Sequence, residues 1–229
     1  HTRFKCDWSS DVCSSDLNEK DYPYQLKVGV EIPSAMAAAI GRLRSAIRVP
    51  FGVNILWDPI ASLALARATG ARFIREVLTG VYESDLGILE PRIGDITAYR
   101  AAIGASDVAL FDNIAPEFSS ALGSRTLADR ARGAAFMGMD AILISGWAAG
   151  SPMAVSDLVA AKEAAPTTSI VANTGVRAER IPEILAVADG VIVGTSLKRD
   201  GVTWNPVDPA RAGHLMDAVR AVRARPTGA

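Results

Sequence analysis

The sequence predicts an α/β fold, and within that class an incomplete (β/α)8 TIM barrel with about six of its eight parallel strands present. Three observations lead there. Short apolar runs alternate repeatedly with helical stripes, which calls for a parallel sheet with crossover helices. The glycine-rich turns come last: Thr174-Gly175-Val176 and Gly194-Thr195-Ser196 follow adjacent strands near the end of the chain, whereas the first strand–helix turn, Trp57-Asp58-Pro59, has no glycine. An open dinucleotide-binding sheet would carry G-x-G-x-x-G in that first turn. The regular pattern also opens on a helix, and a whole barrel needs eight strands in about 250 residues. The expectation is a barrel truncated at its N-terminus, without its first strand, first helix and most or all of its second strand. No linker interrupts the pattern, so residues 18–229 are expected to form one domain.

The elements follow in order. Met36, Ile40, Leu43 and Ile47 recur at helical spacing, and Ser34 is placed to cap that helix. Phe51–Leu56 reads as a strand. Asp58-Pro59 supplies an N-cap and a proline at the first helical position, with the helix running to Gly70. Arg72–Val77 is the next strand, followed by a long loop, LTGVYESDLGILEPR, and a helix carrying Ile93, Ile96 and Ile103. Val108–Asp112 is a strand. Loop 113–124 precedes a helix with Leu127, Ala131, Ala134 and Ala135. Ala141–Ser145 is a strand, and a Ser156-capped helix follows it to Pro166. Ser169–Asn173 and Val191–Val193 are strands flanking a helix with Ile181, Ile184, Leu185 and Ala188 inward. Asp208-Pro209 starts the last helix.

Composition narrows the function. The chain has 229 residues, 49% of them hydrophobic, and a net charge of −1. No basic bias points to nucleic acid, and no apolar run reaches membrane-spanning length. Residues 1–17 have no strand or helix period and carry both cysteines. Their string CDWSSDVCSSDL looks like a translated sequencing adapter, a contaminant of assembled metagenomic reads. They are read as a non-native, disordered leader and set aside; a genuine disordered tail is the rival reading. The remainder is balanced in charge and has no cysteine, which fits a cytoplasmic setting and removes a thiol nucleophile. The histidines are His1, in the leader, and His214, beside the stripe of the last helix. With no His/Cys cluster there is no zinc spacing, and no cofactor is identified. A magnesium ion on Glu76, Glu83, Asp85 or Asp112 is the metal these residue types would admit.

Barrel sites lie at the carboxyl ends of the strands. Alternation along Phe51–Leu56 turns Gly52, Asn54 and Leu56 inward, making Asn54 a polar candidate. Arg75 and Glu76 point opposite ways, and whichever enters the lumen needs a partner. Asp112 is the expected partner of Arg75, which would hold it ionised. A structural ion pair and a catalytic pair stand level on this evidence. With no His or Cys, proton transfer falls to Asp, Glu or Lys, with Asp112 and Glu76 as candidates. Ser145 and Asn173 end later strands with groups suited to a sugar or phosphate. Thr174, Gly175, Gly194, Thr195 and Ser196 can present backbone amides to an anion, with Lys198 as a point charge beside it. The rival reading is that these glycines only close tight turns. Glu83 and Asp85 are read as solvated charges.

Four stretches together resemble the BtpA/SgcQ family: VPFGVNILWDPIASLALARATGARFIREVLTGVYESDLGI, ALFDNIAPEF, SGWAAG and ANTGV…ADGVIVGTSLKRDGVTWNPVD. The resemblance runs from about Asn18 to near the C-terminus, and the family is similar to phosphate-binding TIM barrels. It implies a phosphate cradle at Thr174, Gly175, Gly194, Thr195 and Ser196, and places Glu19 at the mouth. One branch is named for photosystem I biogenesis and another for a sugar-related gene cluster. Some members are described as phosphoribosylanthranilate isomerases, a class whose cysteine base lies on a first strand outside the truncated chain. The expected function is an isomerase, lyase or hydrolase acting on a small phosphorylated metabolite, a sugar or nucleoside phosphate, by Asp/Glu acid–base chemistry. The alternative is a non-catalytic assembly factor that keeps the barrel. A homo-oligomer is expected for the full-length protein.

Overall fold

The computed structural model describes residues 26–85, 87–148 and 150–224. The readings of residues 1–17 and of Glu19 lie outside the described residues. In chain order the elements begin with α1 (Glu31–Leu43), β1 (Gly52–Val53), α2 (Pro59–Thr69) and β2 (Phe73–Glu76). Next come β3 (Tyr82–Ser84), β4 (Gly87–Leu89), α3 (Ile93–Ala102), β5 (Ala109–Ala115) and β6 (Ser119–Ala121). The rest are α4 (Leu127–Phe136), β7 (Ala141–Ile144), α5 (Val155–Ala164), β8 (Ser169–Ala172), α6 (Ile181–Ile184), β9 (Gly190–Val191) and α7 (Pro209–Arg223).

The parallel strands run β1-β2-β5-β7-β8-β9 across the sheet, each next to its neighbour in the chain once the small antiparallel strands are set aside. A doubly wound sheet reverses its strand order at a switch point. This order never reverses, so the fold is the barrel type, with six of its strands among the described residues. No helix among those residues is long and apolar enough to cross a membrane.

The chain gathers into two compact units. One takes the described chain through Glu76 together with Ile93–Leu110. Here β1 pairs parallel with β2, and the start of β5 joins β2 through Ala109 N–H to Arg72 O at 2.8 Å. Gly52 has no side chain because the Phe73 ring lies where its Cβ would be. The α2 helix packs Leu63, Leu65 and Ala66, all buried, and ends at Gly70 in the left-handed conformation that glycine tolerates. Asp58 behaves as the sequence predicts. Its Oδ1 accepts from Ala61 N–H at the helix start, and its Oδ2 accepts from Val28 N–H, both at 2.9 Å. Asp58→Ala would orphan both donors, so we expect a loss of about 2 kcal/mol in urea unfolding. An unchanged midpoint would mean that neither bond contributes.

The second unit is Val77–Arg92 and the chain from Phe111 onward. Strands β5, β7, β8 and β9 pair in parallel. Register slips by one residue on β5: Asn113 pairs with Leu143, but Ala115 pairs with Ile144. Ile142, Ile144, Ile170 and Ala172 are wholly buried, as are Ala131, Leu158, Ala161, Ile181 and Ile184 on the helices. Thr126 and Asp129 form a capping box on α4. Asp208 caps α7 as expected.

Four expectations are corrected. The segment read as a long loop folds into β3 and β4, which form a three-stranded antiparallel sheet with β6. Tyr82 anchors it, buried, with its hydroxyl donating to Ile114 O at 3.1 Å. Ser34 does not cap the first helix: α1 starts earlier, and the Ser34 hydroxyl donates back to Val30 O. Ser156 does not cap α5, which starts at Val155 without a side-chain cap. The helix expected through Ala188 is a 3₁₀ turn followed by the short α6.

Candidate active site

Consecutive residues of a strand face opposite ways, and β5 uses both sides. Phe111 packs with Ile192 against buried Ala141, Leu143 and Val171, and Asn113, two residues on from Phe111, shares that face. At the carboxyl end of that face the chain turns polar. Asn113, Ser145 and Asn173 are each under 10% exposed. The Asn173 amide donates to Ser145 Oγ at 2.7 Å, and the Asn113 amide does so at 3.1 Å. The same two amides reach the Glu117 carboxylate, Asn113 to Oε2 at 3.1 Å and Asn173 to Oε1 at 3.2 Å. Glu117 is half-buried, oriented by one amide on each oxygen. Four residues from the ends of β5, β7 and β8 thus form one network with a carboxylate at its open side.

The loops after β7, β8 and β9 meet beside it. Gly146 N–H donates to Thr174 Oγ1, and Ser196 Oγ donates to Val176 O at 2.7 Å. A Cβ on Gly175, which has φ of +64°, would lie 2.3 Å from Pro152 Cα. A Cβ on Gly146 would lie 2.2 Å from Ser151 O. These two glycines therefore serve close backbone packing. Thr195–Leu197 is a 3₁₀ turn entered from Gly194 at φ −117°, ψ −87°, and the first N–H groups of such a turn have no partner within it. Lys198 is buried at 2% exposure rather than a surface charge, and it has interactions of its own.

The sequence-predicted residues therefore divide. Ser145, Asn173, Thr174, Gly175, Thr195 and Ser196 come together. Asn54, Arg75 and Glu76 belong to the other unit. There the Asn54 amide donates to Arg75 O, tying β1 to β2. Glu76 is 2% exposed. Its oxygens accept from Ser62 Oγ on α2 at 2.6 Å and from Trp57 N–H at 3.2 Å. Burial pushes its pKa up to about 8, against the opposing pull of Ser62 and of the Arg75 charge. Asp112 is wholly buried and accepts from Leu78 N–H at 2.8 Å and Thr79 Oγ1 at 2.6 Å. The expectation that Arg75 holds Asp112 ionised is corrected: burial raises its pKa to about 6, and what opposes the rise is hydrogen bonding from Thr79 and Leu78. Glu83 and Asp85 are exposed. Among the described residues no group of three or more His, Cys, Asp or Glu is gathered to hold a metal.

Two site residues were missed from sequence. The sequence reading puts Asp112 beside Arg75, and alternation then turns its neighbour Asn113 to the opposite face. Glu117 lies beyond the strand, where alternation carries no information.

Comparison with known proteins bears on both fold and kinship. The model of the BtpA family matches residues 16–221. The sgc-region protein SgcQ of Escherichia coli (strain K12) is 44% identical over 207 residues, covering 90% of this chain and 77% of SgcQ. The photosystem I biogenesis protein BtpA of Synechocystis sp. (strain ATCC 27184 / PCC 6803 / Kazusa) is 35% identical over 201 residues, covering 86% and 69%. Among solved structures, a thiamine phosphate pyrophosphorylase from Pyrococcus furiosus superposes with a TM-score of 0.57 at 14% identity, covering 86% of this chain and 80% of its own. Phosphoribosyl anthranilate isomerase from Thermus thermophilus gives 0.57 at 13%, covering 82% and 81%. At such identities these likenesses carry the fold alone, and they agree with the barrel plan.

Proposed function

The chain belongs to the BtpA family, and from that premise we propose that it is an enzyme acting on a small phosphorylated metabolite, a sugar or nucleoside phosphate. The reaction is of the isomerase, lyase or hydrolase kind, run by carboxylate acid–base chemistry. The observation that carries this reading is the 2.7 Å bond from Ser196 Oγ to Val176 O. It keeps the turns after two adjacent strands side by side, next to the polar network at the ends of β5, β7 and β8. In TIM barrels the loops after the last strands and a short extra helix bind phosphate. The phosphate is held by the amides of Gly175, Thr195 and Ser196, with Thr174 and Gly194 shaping the turns and Lys198 giving positive charge nearby.

The proton-transfer role passes from Asp112 and Glu76 to Glu117. The first two are buried, with their oxygens engaged by Leu78, Thr79, Ser62 and Trp57. Glu117 is partly open and oriented by Asn113 and Asn173. Ser145, bonded to both amides, sets their direction. The printed names of two solved structures with this fold, a thiamine phosphate pyrophosphorylase and a phosphoribosyl anthranilate isomerase, are in keeping with a phosphorylated substrate.

Two measurements test the proposal. Crystals soaked in inorganic phosphate should hold the anion between 174–176 and 194–196; an anion bound only elsewhere would overturn the cradle. On a substrate found by metabolite screening, Glu117→Gln should lower kcat by about 100-fold or more, with KM little changed. Undiminished turnover would remove Glu117 from the chemistry.

A further inference from the structure

Beside the carboxylate of that network lies a feature it does not use. Phe118 follows Glu117, and Trp147 follows Gly146, whose N–H is bound to Thr174 Oγ1. Trp147 is 76% exposed and Phe118 43% exposed. Their rings meet edge to face, with centroids 5.9 Å apart and planes at 68°. Water contact on so much aromatic surface is unfavourable. The backbone nonetheless holds the pair in place. Phe118 N–H donates to Trp147 O at 2.8 Å, and Phe118 sits at φ +53°, a strained conformation for a residue with a side chain. The β5-end and β7-end loops thus present two rings together, one residue away from the acid and one from the loop junction.

We propose that Phe118 and Trp147 form a stacking platform for a planar heteroaromatic ring, so that the preferred ligand is a nucleoside monophosphate rather than a bare sugar phosphate. The inference rests on the proposed function for the phosphate end of the ligand, and on the aromatic pair for the ring end. An edge-to-face pair leaves an indole face free to stack, the geometry by which aromatic side chains hold bases. The corner beside the pair is polar: Phe118 directly follows Glu117, whose carboxylate is held by the amides of Asn113 and Asn173, so a ring stacked on the pair would lie next to that acid. A protein partner would need a broad apolar surface, whereas here two rings border a polar network.

The test is calorimetric titration of the full chain with four probes: AMP, ribose 5-phosphate, adenosine and inorganic phosphate. AMP should bind about tenfold or more tighter than ribose 5-phosphate. Trp147→Ala should erase that preference, Trp147→Phe should restore most of it, and neither should alter binding of ribose 5-phosphate or inorganic phosphate. Equal affinity for AMP and ribose 5-phosphate, or a preference that survives Trp147→Ala, would overturn the platform. The phosphate reading fails separately: if inorganic phosphate and ribose 5-phosphate do not bind while adenosine binds in a Trp147-dependent way, the platform stands without the cradle.

Discussion

Gly175→Ala is expected to destabilise the protein by about 3 kcal/mol or more. Two costs add. The residue sits at φ +64°, where a Cβ brings strain of about 1 kcal/mol. The new methyl group would also lie 2.3–2.5 Å from Pro152 Cα and N and from Ser151 C, which are backbone atoms and have no rotamer to change. The chain can relieve this only by parting the 151–152 and 174–176 segments, and that would break the Gly146–Thr174 bond with it. Gly138→Ala is the control. Gly138 has φ of +81° but nothing near its would-be Cβ, so it reports strain alone. For a chain of this size we expect melting to fall by roughly 6–12 °C for Gly175→Ala and by a few degrees for Gly138→Ala. Phosphate affinity should fall in the first variant only. Equal shifts in the two variants would refute the close packing of the loops.

A second large effect concerns pH. Glu76 has a folded pKa near 8 against an ordinary value of 4.5. A carboxyl raised on folding binds its proton more tightly in the native state, so its stabilising contribution is complete below pH 4.5. That contribution is lost as pH rises toward 8. The amount at stake is on the order of 4 kcal/mol. Wild-type stability should therefore decline across that window. Glu76→Gln keeps the shape without the charge, so it should remove most of the decline and be the more stable chain at pH 8.5. A shallower slope should persist at lower pH, because Asp112 is raised from 3.8 to about 6 and acts with the same sign. Parallel curves for wild type and Glu76→Gln in chemical denaturation would show that Glu76 ionises freely in the fold. The acid has a structural task in either case: its Oε2 accepts from the N–H of Trp57, a non-glycine residue at φ +66°.

Much of this was legible because it is local. Asp58-Pro59 and Asp208-Pro209 announced their helices through a cap and a proline that act within one turn. The place of the glycine-rich turns, last rather than first, separated barrel from open sheet, and the strand order agrees. What stayed hidden depends on distant partners. Tyr82–Ser84 pairs with Ser119–Ala121, far along the chain, and a three-residue strand carries too little alternation to be read alone. Glu117 acquires its orientation from Asn113 and from Asn173, the latter 56 residues away. Ser34 and Ser156 looked like caps because serine fits that place, yet both helices begin ahead of them. Gly175 was expected to present its amide to an anion, and the structure gives its lack of a side chain a nearer reason, the backbone of 151–152, which crowds Gly146 as well.

The one-residue slip on β5 has a consequence for how this site can vary. It acts as a phase shift: residues before Ile114 and residues after it keep different pairing with β7. Deleting a single residue there would leave the strand intact but rotate everything beyond it by half a pleat, carrying the Pro116–Glu117–Phe118 corner to the opposite side. Acid and aromatic ring would depart as a pair. Length at this point is thus under tighter constraint than residue identity, and a shortened sibling could keep every side chain of the corner and still have an empty mouth.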